Sequence, residues 1–257
     1  MKQLGEFKNA KNIKYFFTDI DDTLTEEGRL PESAYRSLWH LHKKGLHVIP
    51  VTGRPAGWCE MIARMWPVDG VIGENGAFYF RYKDRKMHRQ FVFPEEERKK
   101  NQIQLKKIEN EVLTNIPGTA LASDQFCRLF DLAIDFCEDV PPLDKPSIQK
   151  IVETFTKHGA TAKVSSIHVN GWFGTYNKLS MCKTYLQQEY QKNLDEIQGQ
   201  CLFIGDSPND EPLFASFENS FAVSNITDFL DLLKSKPKYI TTKPGGIGFT
   251  EVVDLLF

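Results

Sequence analysis

The chain has 257 residues, 41% of them hydrophobic and 26% charged, with a formal net charge of -2. That length supports a substantial core in one large or two modest domains, while the charge excludes the basic surface that a broad nucleic-acid footprint needs. No apolar run approaches a membrane span, and the lysine-rich opening 1–14 lacks a signal-type apolar stretch with a cleavage site.

Five cysteines, odd in number and without CxxC spacing, point away from a zinc site or disulfide framework. Free thiols in a reducing, cytoplasmic setting are the expectation.

In chain order, residues 13–18 read as a buried strand that runs into an acidic stretch. Pro31 opens a helix that stops at Gly45, a common C-terminal glycine. A second strand at 46–51 leads through Gly53-Arg54-Pro55 into a helix halted by Pro67. Val71-Ile72 is a third strand, and Asn75-Gly76 signals a hairpin with 77–82 returning. Alternating strands and helices of this kind predict a parallel α/β sheet.

The texture then changes. Residues 81–90 are heavily charged. A long helix follows from Pro94 to near Pro117, with Leu105, Ile108, Val112 and Ile116 on one stripe. Strands near 128–136, 160–167 and 168–172 and a helix near 146–158 complete what reads as a small α+β unit inserted into the first domain. The parallel pattern resumes after about 173, with a helix at 178–191 and a strand at 200–204 that meets a second acidic run. A short helix at 210–216, short strands at 221–223 and 239–240, and a last helix after Gly245-Gly246 close the chain. The expected division is a core of 1–82 with 173–257 and an insert of 83–172.

Four segments carry chemistry: Asp19-Ile20-Asp21-Asp22-Thr23, Thr52-Gly53-Arg54, Lys178, and Gly205-Asp206-Ser207-Pro208-Asn209-Asp210. Strand alternation puts Asp19 and Asp21 on one side of the chain where the strand opens into a loop. Ligands bind at that edge of open parallel sheets. One carboxylate there can attack phosphorus, and the other can donate and then accept a proton. Two carboxylates beside a phosphate dianion need a hard cation, and Mg²⁺ takes oxygen ligands. Asp206, at a second strand end, is the natural partner of Asp19 on that ion, with Asp210 supporting its waters. Thr52 can hold phosphate oxygens. Lys178 can offset charge on the nucleophile and the transferring group, with Lys183 as the alternative cation. Arg54 has two readings, a partner for a carboxylate or a contact to substrate.

Together the four segments resemble the four motifs of the haloacid dehalogenase superfamily, over essentially the whole chain. The Gly73-Glu74-Asn75-Gly76-Ala77 hairpin and the Gly245-Gly246-Ile247-Gly248 turn resemble the subfamily with a large cap between motifs two and three, class IIB. That subfamily includes sucrose-phosphate, trehalose-phosphate and mannosyl-3-phosphoglycerate phosphatases. The resemblance implies a Rossmann-like parallel core with a smaller α+β cap. It implies Asp19 as nucleophile and Asp21 as general acid/base. Mg²⁺ would be bound by Asp19, the Asp21 carbonyl and Asp206, with Asp210 behind. Thr52, Gly53 and Lys178 would hold the phosphoryl group, and Asn209, Asn75 and Arg54 are further phosphate or substrate candidates. The sequence departs from the family pattern at Asp22, often glycine, and at Leu179, where glycine usually follows the lysine.

The implied activity is hydrolysis of a small sugar phosphate or related metabolite, by a monomer or weak homo-oligomer. A phosphotransferase or mutase is the second reading, and a non-catalytic phosphometabolite-binding protein the third. In the insert, Arg128, Lys163, His168 and Trp172 have the chemistry to read a sugar. The plainer reading, preferred for each singly, is that Trp172 fills a core and the charges face water.

Overall fold

The structure, a computed structural model, describes residues 1–165 and 167–257; residue 166 of the expected strand 160–167 lies outside the described residues. The elements in order are β1 (Lys2–Gln3), β2 (Tyr15–Thr18), α1 (Glu32–Lys43), β3 (His47–Pro50), α2 (Ala56–Met65), β4 (Val71–Gly73), β5 (Phe78–Lys83), β6 (Lys86–Phe91) and α3 (Glu95–Asn115). They continue with β7 (Ala120–Leu121), β8 (Leu132–Asp135), α4 (Lys145–Lys157), β9 (Thr161–Val164), β10 (His168–Trp172), α5 (Lys178–Tyr190), β11 (Cys201–Gly205), α6 (Glu211–Ser216), β12 (Asn219–Ala222), β13 (Tyr239–Ile240) and α7 (Gly245–Leu255).

The central sheet has the order β1-β13-β12-β11-β2-β3, and every pairing in it is parallel. Its middle strands are buried on both faces, as the continuous apolar run in β2 requires. Successive side chains go to opposite faces: Phe16 meets Phe249 of α7 at 5.6 Å, and Phe17 meets Phe217 after α6 at 5.3 Å. Helices α1, α2 and α7 cover one face, and α5 and α6 the other.

Two regions depart from the sequence reading. The expected third parallel strand, β4, touches the central sheet through one bridge, Val51 to Ile72. Its ladder is the antiparallel sheet β4-β5-β6, whose β4–β5 pair is the hairpin expected at Asn75-Gly76. The chain turns back immediately at Glu74–Gly76, so three residues are all it has to pair. The charged stretch 81–90 is the rest of that sheet, with Tyr82 opposite Met87 across a turn at Asp84 (φ +52°) and Arg85 (φ +61°). Asp-Arg is a weak signal for such a turn beside Asn-Gly.

The inserted segment forms its own antiparallel sheet, β7-β8-β10-β9. Helices α3 and α4 pack on it around Leu105, Ile108, Ile134, Phe155 and Val169. Trp172 is buried and stacks on Tyr176 at 5.6 Å, as the plainer reading expects.

Candidate active site

Strands β2 and β11 are parallel neighbours and end at the same sheet edge, so the residues that follow them meet. Asp19 continues the ladder by one bond, its N–H donating to Ile204 O at 2.9 Å. Asp206 follows β11, and its N–H donates to Asp210 Oδ2 at 3.1 Å. That approach needs glycine at 205, where a Cβ would lie 2.2 Å from Asp210 Oδ2. Lys178, in the first turn of α5, donates to Asp19 Oδ1 at 2.9 Å and Asp210 Oδ1 at 2.8 Å. The N-terminus of α5 is held by the 74–76 turn. Gly76 has φ +102°, and a Cβ on it would lie 2.2 Å from Asn177 O. Lys183 instead sits at the surface, 3.3 Å from Asp195.

Carboxylate oxygens of Asp19, Asp206 and Asp210 lie within 4.8 Å of one another, and all three residues are buried. Burial pushes the Asp19 carboxyl up to about 7, against the pull of Lys178 and with a further push from Asp210 and Asp21. Burial, Asp19, Asp210 and Asp22 hold Asp206 well above the usual carboxylate range. Burial works against the charge on Lys178, yet Asp19 and Asp210 outweigh it and keep its pKa raised. Asp206 accepts hydrogen bonds from neutral groups, Thr23 Oγ1 at 3.2 Å and Asn225 Nδ2 at 3.5 Å. Three buried hard-oxygen donors, two of them bonded to Lys178, fit a divalent cation.

Asp21 stands at the mouth of this pocket in the grip of Arg54. Nε donates to both Asp21 oxygens at 2.9 and 3.1 Å, and Nη2 lies 2.9 Å from Oδ1. The same guanidinium reaches Glu138 Oε1, which follows β8, at 3.3 and 3.4 Å, and stacks on Trp58 at 4.5 Å. His168 Nε2 of β10 sits 2.9 Å from Glu138 Oε2. That contact, and Arg54, hold the Glu138 carboxyl down at about 2. Arg128 donates from Nη1 to Gly53 O at 2.9 Å and is paired with Asp124 and Asp131. A cleft lies between these groups and the sheet edge, with a free volume of about 30 Å³, room for about one water.

Of the residues singled out in the sequence, Asp19, Asp21, Gly53, Arg54, Asn75, Arg128, His168, Asp206 and Asn209 line this cleft. Lys178 and Asp210 lie behind its floor. Thr52 is fully buried beneath its wall, where its hydroxyl accepts from Arg54 N at 3.0 Å and shapes the loop. Asn75 Nδ2 is buried without a hydrogen-bond partner. Arg54 is a carboxylate partner, the first of its two readings. Lys163 is exposed on β9, as the plainer reading has it. Arg128 and His168 depart from that reading: both are buried, Arg128 paired with Asp124 and Asp131 and His168 beside Glu138. Asp22 has φ +54°, a left-handed conformation that suits glycine and that aspartate tolerates.

Sequence reasoning missed Glu138 and Asn170. The available signal for Glu138 was Asp135 at a strand end, whose carboxylate accepts from the N–H groups of Cys137, Glu138 and Asp139 at 2.8–2.9 Å and so builds the loop. Asn170 had no local signal; it alternates inward on β10 and donates to Asp131 at 3.0 Å.

A parallel sheet with an acidic edge, interrupted by an inserted unit that closes over it, defines a class. Residues 16–124 match the family model of haloacid dehalogenase-like hydrolases. The fold is shared over nearly the whole chain with solved structures. A Thermoplasma acidophilum protein has 19% identity and a TM-score of 0.74, over 95% of this chain and 98% of that one. A HAD/COF-like hydrolase from Plasmodium vivax has 18% identity and a TM-score of 0.70, over 96% of each chain. The sucrose-phosphatase of Synechocystis, solved with sucrose and phosphate, has 14% identity and a TM-score of 0.65, over 96% of this chain and 98% of that one. Comparison with curated protein sequences returned no match. Over residues 16–124 the chain is thus similar to haloacid dehalogenase-like hydrolases, and over nearly its whole length it shares the fold of these solved structures.

Proposed function

We propose that the protein is a Mg²⁺-dependent phosphomonoesterase acting on a phosphorylated sugar or related small metabolite. What carries this reading is the meeting of Asp19, Asp206, Asp210 and Lys178 at one sheet edge, with Asp21 beside them. In it, the expected core of residues 1–82 with 173–257 is the catalytic unit and the insert 83–172 supplies the cap, with β6 of that insert pairing β5 on the core side. The protein works in the cytoplasm as a monomer or weak homo-oligomer, a setting that suits its five free cysteines.

Asp19 Oδ1 is engaged by Lys178, which leaves Oδ2 to attack phosphorus. The bond from phosphorus to the alcohol oxygen breaks as the aspartyl phosphate forms, and Asp21 gives its proton to the departing alkoxide. Water then attacks the same phosphorus, Asp21 takes its proton, and Asp19 is regenerated with release of phosphate. Arg54 fixes the orientation of Asp21 through both carboxylate oxygens. The unpartnered Asn75 Nδ2 donates to a phosphoryl oxygen, while Thr52 holds the loop that carries Gly53 and Arg54 beside it. Asp19, Asp206 and the Asp21 carbonyl would hold Mg²⁺, with Asp210 orienting its waters; bound there, the ion neutralises the carboxylates and the phosphoryl oxygens. A cleft with room for one water admits a sugar phosphate only when the cap parts from the core, which breaks the Arg54–Glu138 and Arg128–Gly53 contacts.

The test is phosphate release from a panel of sugar phosphates with Mg²⁺ and with chelator. Metal-dependent release that Asp19→Asn abolishes is expected. Transfer to an added acceptor sugar in place of free phosphate would convert the reading to a phosphotransferase.

A further inference from the structure

The cleft has a second compartment. Beyond the Asp21–Arg54–Glu138 bridge lies a chamber of about 360 Å³ whose walls include Asp21, Asp22, Glu27, Arg54, Cys137 and Glu138. Asp21 and Arg54 border both spaces. If Asp21 protonates the leaving oxygen, the phosphoryl group sits on the Asp19 side and the alcohol on the Glu138 side. The alcohol then faces four carboxylates and one cation, Arg54. Arg54 is already engaged by Asp21 and Glu138. Among the described residues of the inner cleft the same holds: Arg128 is paired with Asp124 and Asp131, and His168 with Glu138. The groove on the metal side, walled by Asp22, Glu26, Glu27, Asp206 and Asp228, has neither lysine nor arginine among its described lining residues. The orphaned Asn75 donor, more than nine-tenths buried on the inner cleft, is ready for one anion, and among the described lining residues of the alcohol side the one cation, Arg54, is already engaged.

Resting on the phosphomonoesterase reading, we infer that the site selects monophosphates whose alcohol carries hydroxyls and no second negative charge, and that Glu138 sets this selection. Hydroxyl groups donate to a carboxylate wall; a carboxylate or second phosphate meets like charge that is poorly screened in a closed cleft. Glu138 is the member of the wall that the inserted unit contributes and that the His168 contact holds charged.

A matched pair tests this: sorbitol 6-phosphate and 6-phosphogluconate differ by one carboxylate on the alcohol. With Mg²⁺ and the whole chain, kcat/KM should favour sorbitol 6-phosphate by about tenfold or more, chiefly through KM. Glu138→Gln should narrow that ratio by about fivefold, and Glu138→Asp should keep most of it. Equal values for the two substrates, or a preference that Glu138→Gln leaves intact, overturn the proposal. Calorimetric titration of the Asp19→Asn protein with each phosphate reads the same preference without turnover. A binding preference in a protein that hydrolyses neither compound would sink the phosphatase reading alone. Equal binding, or none, would sink the selection.

Discussion

At the edge of the central sheet, Asp19, Asp206 and Asp210 cluster, with Lys178 bonded to Asp19 and Asp210; at the neighbouring hairpin turn, Asp124 and Asp131 pair with Arg128 beside Glu74. Both clusters bury more acid than base, and they dispose of the surplus differently. Glu74 is ringed by backbone donors: Ala56 N at 3.0 Å, and the N–H groups of Leu129, Phe130 and Asp131 at 2.6–3.2 Å. Asp131 also receives Asn170 at 3.0 Å. Every one of these donors belongs to the chain, and together they tie the inserted unit to the hairpin. Asp206, by contrast, has among the described residues only the side-chain donors Thr23 and Asn225, at 3.2 and 3.5 Å. A surplus met by the protein's own donors is structural; a surplus left facing a cleft is available to a ligand.

The contrast breaks if substitutions in the two clusters fail in the same way. Asp19→Asn should lower turnover by at least about 10³-fold, with the thermal unfolding midpoint preserved or raised, since a buried charge is removed. Next, Glu74→Ala should cost about 3 kcal/mol or more of stability, because several buried N–H groups lose their acceptor at about 1–3 kcal/mol each. Denaturant titration checks this, and turnover measured below the new midpoint should remain measurable. If Glu74→Ala were as stable as the parent, the hairpin cluster would not be the tie described. The sheet-edge cluster should also respond to cation. Saturating Mg²⁺ at about 100 times its dissociation constant should add about 2.7 kcal/mol, and Asp206→Asn should remove most of that increment. Calorimetric scans with and without metal read it directly.

The sheet-edge cluster was legible in the sequence because Asp19 and Asp206 each follow an apolar strand, with Asp210 at the helix start just beyond, and parallel strands must deliver their ends to one edge. The same reasoning reached Lys178 despite Leu179 after it. It could not reach the hairpin cluster. Glu74 is a single acid in a turn, and its partners are backbone groups of residues 129–131, more than fifty positions away; a backbone N–H leaves no trace in residue type. The charged run 81–90 misled for a related reason. Its side chains stay largely in water while its backbone pairs across the ladder, and polarity reports only the first of these.

The hairpin cluster also has a pH signature. Burial and Asp131 push Glu74 up to about 8 from 4.5, against Arg128 and the backbone donors. An acid raised on folding holds its proton more tightly in the native state, so its contribution to stability is full below about pH 4.5. That contribution is lost as pH rises through about 8. The parent should therefore lose stability across that interval relative to Glu74→Gln, which cannot titrate. Parallel curves for the two proteins would show that Glu74 is ionised throughout and held by its donors alone.

The smallest effect is expected at Lys163. It was grouped with Arg128 and His168 because all three are basic residues of the inserted unit, yet it is exposed on β9, whereas both others border the cleft. Its register partner across the ladder is Asn170, whose side chain points inward to Asp131. Paired residues share a face, but Lys163 is long enough to carry its ammonium past the sheet edge into water. Lys163→Ala should thus change kcat/KM by less than about twofold and stability by no more than about 0.5 kcal/mol. A larger loss of kcat/KM at unchanged stability would mean that the opened cleft brings Lys163 to the substrate, adding a cation to an alcohol side that the closed form leaves without a spare one.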